Sequence, residues 1–300
     1  MRIVLAGASG FLGSHLRRRL ARDGHDLVQL VRRPPAHDGQ RQWWPERHQL
    51  DPATMDGVDA VVNLAGLGVE DKRWDAQVRA ELVSSRVDPT TTLATAIAEL
   101  HASSRPGVLV NASAVGYYGD TGDRETDEES PAGTGFFPDL CQRWESATDP
   151  ATRAGVRVVR LRTGLVLDAG GGLLKPMLLA FRLFAGGNLS SGRQWMPWIS
   201  IRDWTSAVTL LLVESTVDGP VNLVGPDPVR NAEFTKALGR AVHRPALIPV
   251  PRFALRIVLG EFANEALASQ RVLPAVLNRV GFSFADADLD AALRSALQPS

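Results

Sequence analysis

Residues 3–13 constrain this chain more than any other stretch, because a short β-rich apolar run from Ile3 leads straight into Gly7, Gly10 and Gly13. That spacing suits a strand-to-helix turn that cradles a phosphate. Gly7 permits the tight turn, Gly10 lets the backbone approach a pyrophosphate, and Gly13 lets the following helix pack on the strand. The helix N-terminus then faces the anion. An ordinary βα turn uses the same residues, so the flanking sequence has to decide. Leu12, Leu16 and Leu20 recur at helical spacing, Gly24 marks the stop, and Leu27–Val31 reads as a second strand. The unit is β-α-β over about thirty residues. It ends in Arg32 and Arg33. An acidic residue at this strand tip would hold a ribose 2′-hydroxyl, whereas an Arg takes a 2′-phosphate. The pair points to NADP(H); a solvated basic loop is the other reading.

Three hundred residues, 44% of them hydrophobic, allow a large core in one domain or two. With 33 basic against 33 acidic residues, no nucleic-acid or anionic-membrane surface is expected. Cys141 is the one cysteine, which excludes an intrachain disulfide, and the six histidines lack metal-ligand spacing, so no metal is expected. No apolar run reaches membrane-spanning length, and the first strand occupies the position of a signal peptide. These features lead to the expectation of a cytoplasmic protein without membrane attachment.

Along the chain, residues 34–57 read as a loop with a short strand near Trp43, and Val58–Leu64 as a buried parallel strand ending in Ala65 and Gly66. Small residues there let a cofactor cross the sheet edge, although close packing explains them equally. A helix is expected from about Asp75 to Leu100, interrupted or shifted near Pro89. Val108–Ala112 forms the next strand, followed by Ser113, Tyr117 and Tyr118, hydroxyls that reach a substrate or simply line a loop. Residues 120–135 are acidic and turn-rich, a solvated loop or lid. A helix with Leu140, Trp144 and Ala147 precedes a strand from Val156 to Leu167. Beyond it come a glycine-rich connection at Gly170–Gly172, an apolar helix and a Gly/Trp-rich loop at 186–198. Arg193, Trp195 and Trp198 of that loop offer charge and flat apolar faces to a small-molecule substrate, or pack between two domains. Further elements are expected at Asp203–Val213, Val221–Val224, Ala232–Val242 and Leu247–Val250. The C-terminal helices are amphipathic, suited to core and to a homodimer contact.

Taken together, the Gly7–Gly13 loop, Asn63–Gly66, Ser85-Arg86, Ser113–Gly119, Trp144-Glu145, Arg162–Gly164, Gly192–Ile199 and Ser269–Pro274 resemble the extended short-chain dehydrogenase/reductase superfamily. More narrowly, the chain is similar to its NAD(P)-dependent "epimerase family" branch, which carries an extra C-terminal domain of unknown function. The resemblance covers essentially the whole chain. It implies an α/β fold, a Rossmann-type doubly wound parallel sheet with a smaller C-terminal α/β substrate domain. Residues 1–167 would bind NADP(H), and 168–300 would form the substrate-binding and helical region, with parts interleaving. Carried over, the cofactor would meet Gly7, Ser9, Gly10, Phe11, Leu12, Gly13, Arg32, Arg33, Leu64, Ala65, Glu81, Arg86 and Val166. A structural ion pair accounts equally for Glu81 and Arg86.

The superfamily's working members place a Tyr and a Lys four residues apart on the helix bearing Trp144-Glu145. Counting back by the family's spacing, Phe137 and Cys141 stand there instead. Phe relays no proton, and a neutral Cys supplies no fixed charge. Ser113, Tyr117, Tyr118 and Cys141 are the substitute candidates. Two functions follow. One is an NADP(H)-dependent oxidoreductase or epimerase-like enzyme on an unnamed small molecule; the other is a non-catalytic NADP(H)-binding regulator or sensor.

Overall fold

Buried apolar residues recurring at short intervals along the chain build a central sheet. In the computed structural model, which describes residues 1–69, 73–246, 249–260 and 262–298, the strands are β1 (Arg2–Ala6), β2 (Asp26–Val31), β3 (Gln40–Trp44), β4 (Gln49–Leu50), β5 (Ala60–Asn63), β6 (Val108–Ala114), β7 (Glu125–Thr126), β8 (Arg157–Thr163), β9 (Leu165–Leu167), β10 (Trp195–Met196), β11 (Trp198–Ser200), β12 (Gly219–Leu223), β13 (Val229–Arg230) and β14 (Arg271–Val272). The helices are α1 (Phe11–Arg22), α2 (Ala76–Glu99), α3 (Phe136–Ser146), α4 (Asp149–Arg153), α5 (Leu174–Arg182), α6 (Ile201–Val213), α7 (Asn231–Ala241), α8 (Arg252–Leu259), α9 (Phe262–Ala266), α10 (Ala275–Arg279) and α11 (Leu289–Ala296). The element expected at Leu247–Val250 falls partly outside the described residues; Val250 itself bridges to Leu189.

Eight strands pair in the order β12-β8-β6-β5-β1-β2-β3-β4, parallel except for β4. This is a Rossmann-type, doubly wound sheet. Ile3 and Leu5 of β1 face one core with Leu16 and Leu20 of α1 and Trp204 and Val208 of α6. Val4 and Ala6 face the other, with Leu93 and Ile97 of α2 and Ala151 of α4. Each strand thus feeds two layers, the arrangement that requires near-continuous apolar strands. The order turns back between β1 and β5, so their carboxyl ends open a crevice where ligands of such sheets bind.

A third cluster joins Leu174, Leu178 and Phe181 of α5 with Trp198, Phe234 of α7 and Leu293 of α11. Strand β12 and helix α6, beyond residue 167, complete the main sheet and one of its cores.

Three local expectations change. Helix α2 runs unbroken through Pro89, which is buried with Leu82, Arg86, Thr90 and Leu93 on both sides of it. Packing along that face outweighs the proline's local cost, and Thr90 Oγ1 donates to the Arg86 carbonyl at 2.8 Å within the same turn. The strand expected to run through to Leu167 is divided at Gly164, where a Cβ would lie 2.7 Å from the Pro197 carbonyl. Beyond that close approach, β9 leaves β8's sheet and pairs with β11. The acidic 120–135 segment is stapled down: β7 pairs with β14, and Thr121 N donates to the Ser269 carbonyl at 2.8 Å.

Candidate functional site

The crevice at the switch point is floored by the glycine loop. Gly7 adopts φ +77°, and a Cβ on it would sit 2.5 Å from the Leu64 carbonyl at the end of β5. A Cβ on Gly13 would lie 2.0 Å from the Gly7 carbonyl oxygen. These two glycines are demanded by the fold itself. Gly10 differs: it is exposed, and its Cβ would meet only the Gly7 carbonyl, at 3.3 Å. Gly10 caps α1 without any side-chain hydrogen bond, so the first-turn amides of Phe11, Leu12 and Gly13 keep their donor capacity beside exposed Ser9. An anion fits there.

Phe11, Leu12, Leu64 and Val166 gather around one core, and the Phe11 ring lies under Gly171, where a Cβ would come within 2.4 Å of it. The glycine-rich connection therefore closes over the loop. Ala65 N donates to Asn63 Oδ1 at 3.1 Å, which fixes the backbone leaving β5. Arg32 and Arg33 stand exposed at the tip of β2. Neither forms an ion pair among the described residues. A nucleotide bearing an extra phosphate at its ribose fits this end of the crevice.

Arg86 sits elsewhere in the design. It is buried, with Nη2 donating to the Leu67 carbonyl at 2.8 Å and Nη1 to the Leu82 carbonyl at 3.1 Å, so it braces the loop that follows β5. Glu81, further up α2, accepts from Gln77 Nε2 at 3.0 Å.

At the carboxyl end of β6 a buried polar network replaces open hydroxyls. Ser113 Oγ donates to Glu145 Oε1 at 2.7 Å. Arg162, opposite Ser113 across the β6–β8 ladder, grips the same carboxylate with Nε and Nη2, both at 2.9 Å. Burial opposes the Arg162 charge, but the hydrogen bonds and ion pair with Glu145 outweigh it and raise its pKa above the ordinary arginine value. Arg162 Nη1 donates to the Tyr118 hydroxyl at 2.9 Å, which itself donates to Asn222 Oδ1 at 2.7 Å. Burial pushes the Tyr118 phenol up to about 12 despite Arg162.

Cys141 is 1% exposed and its thiol donates to the Ala114 carbonyl at 3.7 Å. Burial, with Glu145 adding to it, pushes the thiol up to about 12. Tyr118 and Cys141 are therefore both buried, with their protons engaged by partners inside the protein. Phe137, one turn before Cys141 on α3, packs against Trp74 with ring centroids 5.2 Å apart and against Phe262 of α9 at 6.3 Å. Leu67, Val69, Phe136 and Leu173 complete an apolar wall.

The Gly/Trp-rich loop is corrected in part. Trp198 is buried, its indole donating to the Asp227 carbonyl at 3.1 Å, and belongs to the third core. The Trp195 ring carries the guanidinium groups of Arg230 and Arg271, at 4.1 and 4.8 Å, and its indole donates to Asp123 at 3.1 Å. Its face is thus engaged by side chains of the same protein. Arg193 is exposed, and its carbonyl accepts from Arg230.

Sequence reasoning gave Glu145 and Arg162 no role, and neither stands out locally, because α3 also carries Asp139 and β8 also carries Arg157 and Arg160. Among the described residues no group of acidic, His or Cys side chains is placed to hold a metal, and no helix is long and apolar enough to cross a membrane.

Comparison with known proteins places this geometry. The epimerase family protein Mb2239 of Mycobacterium bovis is 46% identical over 283 residues, which span 94% of this chain and 93% of the relative. The chain belongs to the epimerase family. The Bos taurus member SDR39U1 is 38% identical, over 99% of this chain and 100% of its own. Residues 3–138 match the NAD dependent epimerase/dehydratase family, and residues 250–296 a domain of unknown function, DUF1731. The crystal structure of human epimerase family protein SDR39U1 with NADPH superimposes with a TM-score of 0.89 at 34% identity, covering 99% of both chains. In this epimerase-family chain the DUF1731 stretch supplies Phe262, which backs Phe137, and β14, which staples the acidic segment.

Proposed function

We propose that this epimerase-family protein binds NADP(H) and acts as an oxidoreductase on an apolar small carbonyl compound or its alcohol. The observation that carries the reading is the switch-point crevice, with a glycine cradle at one end, exposed Arg32 and Arg33 at the tip of β2, and the Phe137–Trp74–Phe262 wall beyond. The human relative crystallised with NADPH supports the choice of dinucleotide. Gly7, Gly10 and Gly13 with the first-turn amides of α1 would hold the pyrophosphate, Arg32 and Arg33 the 2′-phosphate, and Leu64, Ala65 and Val166 the apolar flank. When bound, the dinucleotide supplies or accepts a hydride. The wall is apolar and leaves no phenol at residue 137, so sugar 4-epimerisation, which leans on a proton relay worth about 10²–10⁴-fold, is not the expected activity.

The test is calorimetry followed by turnover. NADPH is expected to bind tighter than NADH by roughly tenfold to a hundredfold, and Arg32→Ala to erase most of that margin, since a charged hydrogen bond contributes about 1.5–3 kcal/mol. Loss of NADPH absorbance is then followed with aldehydes, quinones and nucleotide sugars, with turnover expected from the first two. Brisk epimerisation of a UDP-sugar would overturn the reading, and tight NADPH binding without turnover of any compound would make the protein a binder.

A further inference from the structure

With Phe137 in place of the usual phenol, a reductase built on this crevice needs another proton source, and the four hydroxyl or thiol groups near it are not equivalent. Ser113 is buried and spends its proton on Glu145. Tyr118 is buried and spends its own on Asn222. Cys141 is buried against the Ala114 carbonyl. Tyr117 alone among them is half-exposed, and its hydroxyl has no hydrogen-bond partner among the described residues. Its position is also apt. It follows Gly116 just beyond the carboxyl end of β6, and a Cβ on Gly116 would lie 3.1 Å from Phe137 Cβ. The Tyr117 backbone thus lies one residue from the contact with Phe137, while its ring packs with Val115, Tyr118, Val224 and Val272.

Arg162 completes the arrangement. Its guanidinium carbon lies 3.5 Å from the Tyr117 ring centroid, and Glu145 holds it there through two hydrogen bonds, both of 2.9 Å. The chain thus keeps a fixed cation against a phenol, as a Tyr–Lys pair does, but delivers the charge through the ring face.

Resting on the oxidoreductase reading, we infer that Tyr117 is the proton donor of this site and that Arg162 is its positioning residue. In the reducing direction the substrate's carbonyl carbon gains the hydride supplied by NADPH, and the carbonyl π pair moves onto oxygen. That oxygen forms a bond to the Tyr117 hydroxyl proton as the phenol O–H bond breaks. The products are the alcohol and NADP+. The negative charge left on Tyr117 faces Arg162 until water returns the proton.

The chain has two tyrosines, so chemical nitration read by mass spectrometry resolves them. Tetranitromethane is expected to modify Tyr117 and spare Tyr118. Saturating NADP+ should slow Tyr117 modification at least about fivefold, while adenosine 2′,5′-bisphosphate, which lacks the nicotinamide, should not. Tyr117→Phe is expected to keep NADPH affinity and to lose about 10²–10⁴-fold in turnover of whichever carbonyl compound the protein reduces. The alkaline limb of the pH–rate profile should vanish in Tyr117→Phe and move in Arg162→Lys. Equal nitration with and without NADP+, or a Tyr117→Phe protein with unchanged turnover, overturns the assignment of Tyr117. An unmoved profile in a folded Arg162→Lys protein overturns that of Arg162. Protection by NADP+ with no turnover of any compound overturns the oxidoreductase reading on which both rest.

Discussion

Gly10 and Gly13 occupy the same loop for different reasons, and substitution separates them. A Cβ on Gly13 collides with the Gly7 carbonyl at 2.0 Å, so Gly13→Ala has to displace backbone and should cost about 3 kcal/mol or more in urea unfolding. Gly10 has φ −72°, which any residue adopts, and its Cβ would face solvent apart from one contact at 3.3 Å. Gly10→Val should therefore fold with a penalty of about 1 kcal/mol, that of a poorer helix cap, yet lose measurable NADPH binding by calorimetry. If Gly10→Val retains affinity, the pyrophosphate does not lie over this loop. The arginines divide in the same way. Arg86 is spent on carbonyls of its own chain, whereas Arg32 and Arg33 face solvent at the strand tip.

At the scale of single elements, α3 shows what replaced the family's relay. Cys141 and Phe137 lie one turn apart, the first sealed against β6 and the second facing Trp74 and Phe262. Phe137→Tyr adds a hydroxyl at the half-buried edge of the wall and should fold. Cys141→Lys instead buries a cation near Arg86 and Arg162, with the nearest carboxylate, Glu145, already bound bidentately. It should cost about 3–5 kcal/mol by urea unfolding, so restoring both residues would test stability before chemistry. A double variant as stable as the parent would show that the site relaxes around the charge. The elements themselves were largely legible in the sequence: β1, α1 and β2 follow from an apolar run, a leucine stripe and Gly24. What was not legible lies in contacts between distant segments. Nothing local to Pro89 announces that flanking cores carry α2 across it. Nothing local to Trp198 tells a buried indole bonded to Asp227 from a substrate wall, and Trp195 looks free until Arg230 and Arg271 are brought onto it.

Across the whole molecule, the sheet and the C-terminal stretch are joined by a buried carboxylate that sequence periodicity does not single out. Glu128 Oε1 accepts from Asn222 N on β12 at 2.9 Å and from Val276 N on α10 at 3.2 Å, and its own carbonyl accepts from Arg162. One acidic residue thus ties the main sheet and the DUF1731 stretch through its side chain and the network under Tyr117 through its carbonyl. Its second oxygen, Oε2, is buried with no partner among the described residues, and burial, partly offset by the backbone hydrogen bonds, raises the carboxyl above the ordinary glutamate range. The sign of the linkage follows. Below the unfolded value of about 4.3 both states hold the proton and the contribution to stability is complete. As pH rises past it the unfolded chain ionises first, so stability falls until the folded carboxyl has ionised too, and then levels off. Glu128→Gln keeps the acceptor for both amides and removes the titration. Relative to the parent, its unfolding free energy should therefore improve between pH 4 and pH 8. Urea unfolding at the two pH values measures this directly. Parallel pH dependence in parent and variant would mean that Glu128 binds its proton equally in the folded and unfolded states, and that the joint between sheet and C-terminal stretch carries its charge without cost.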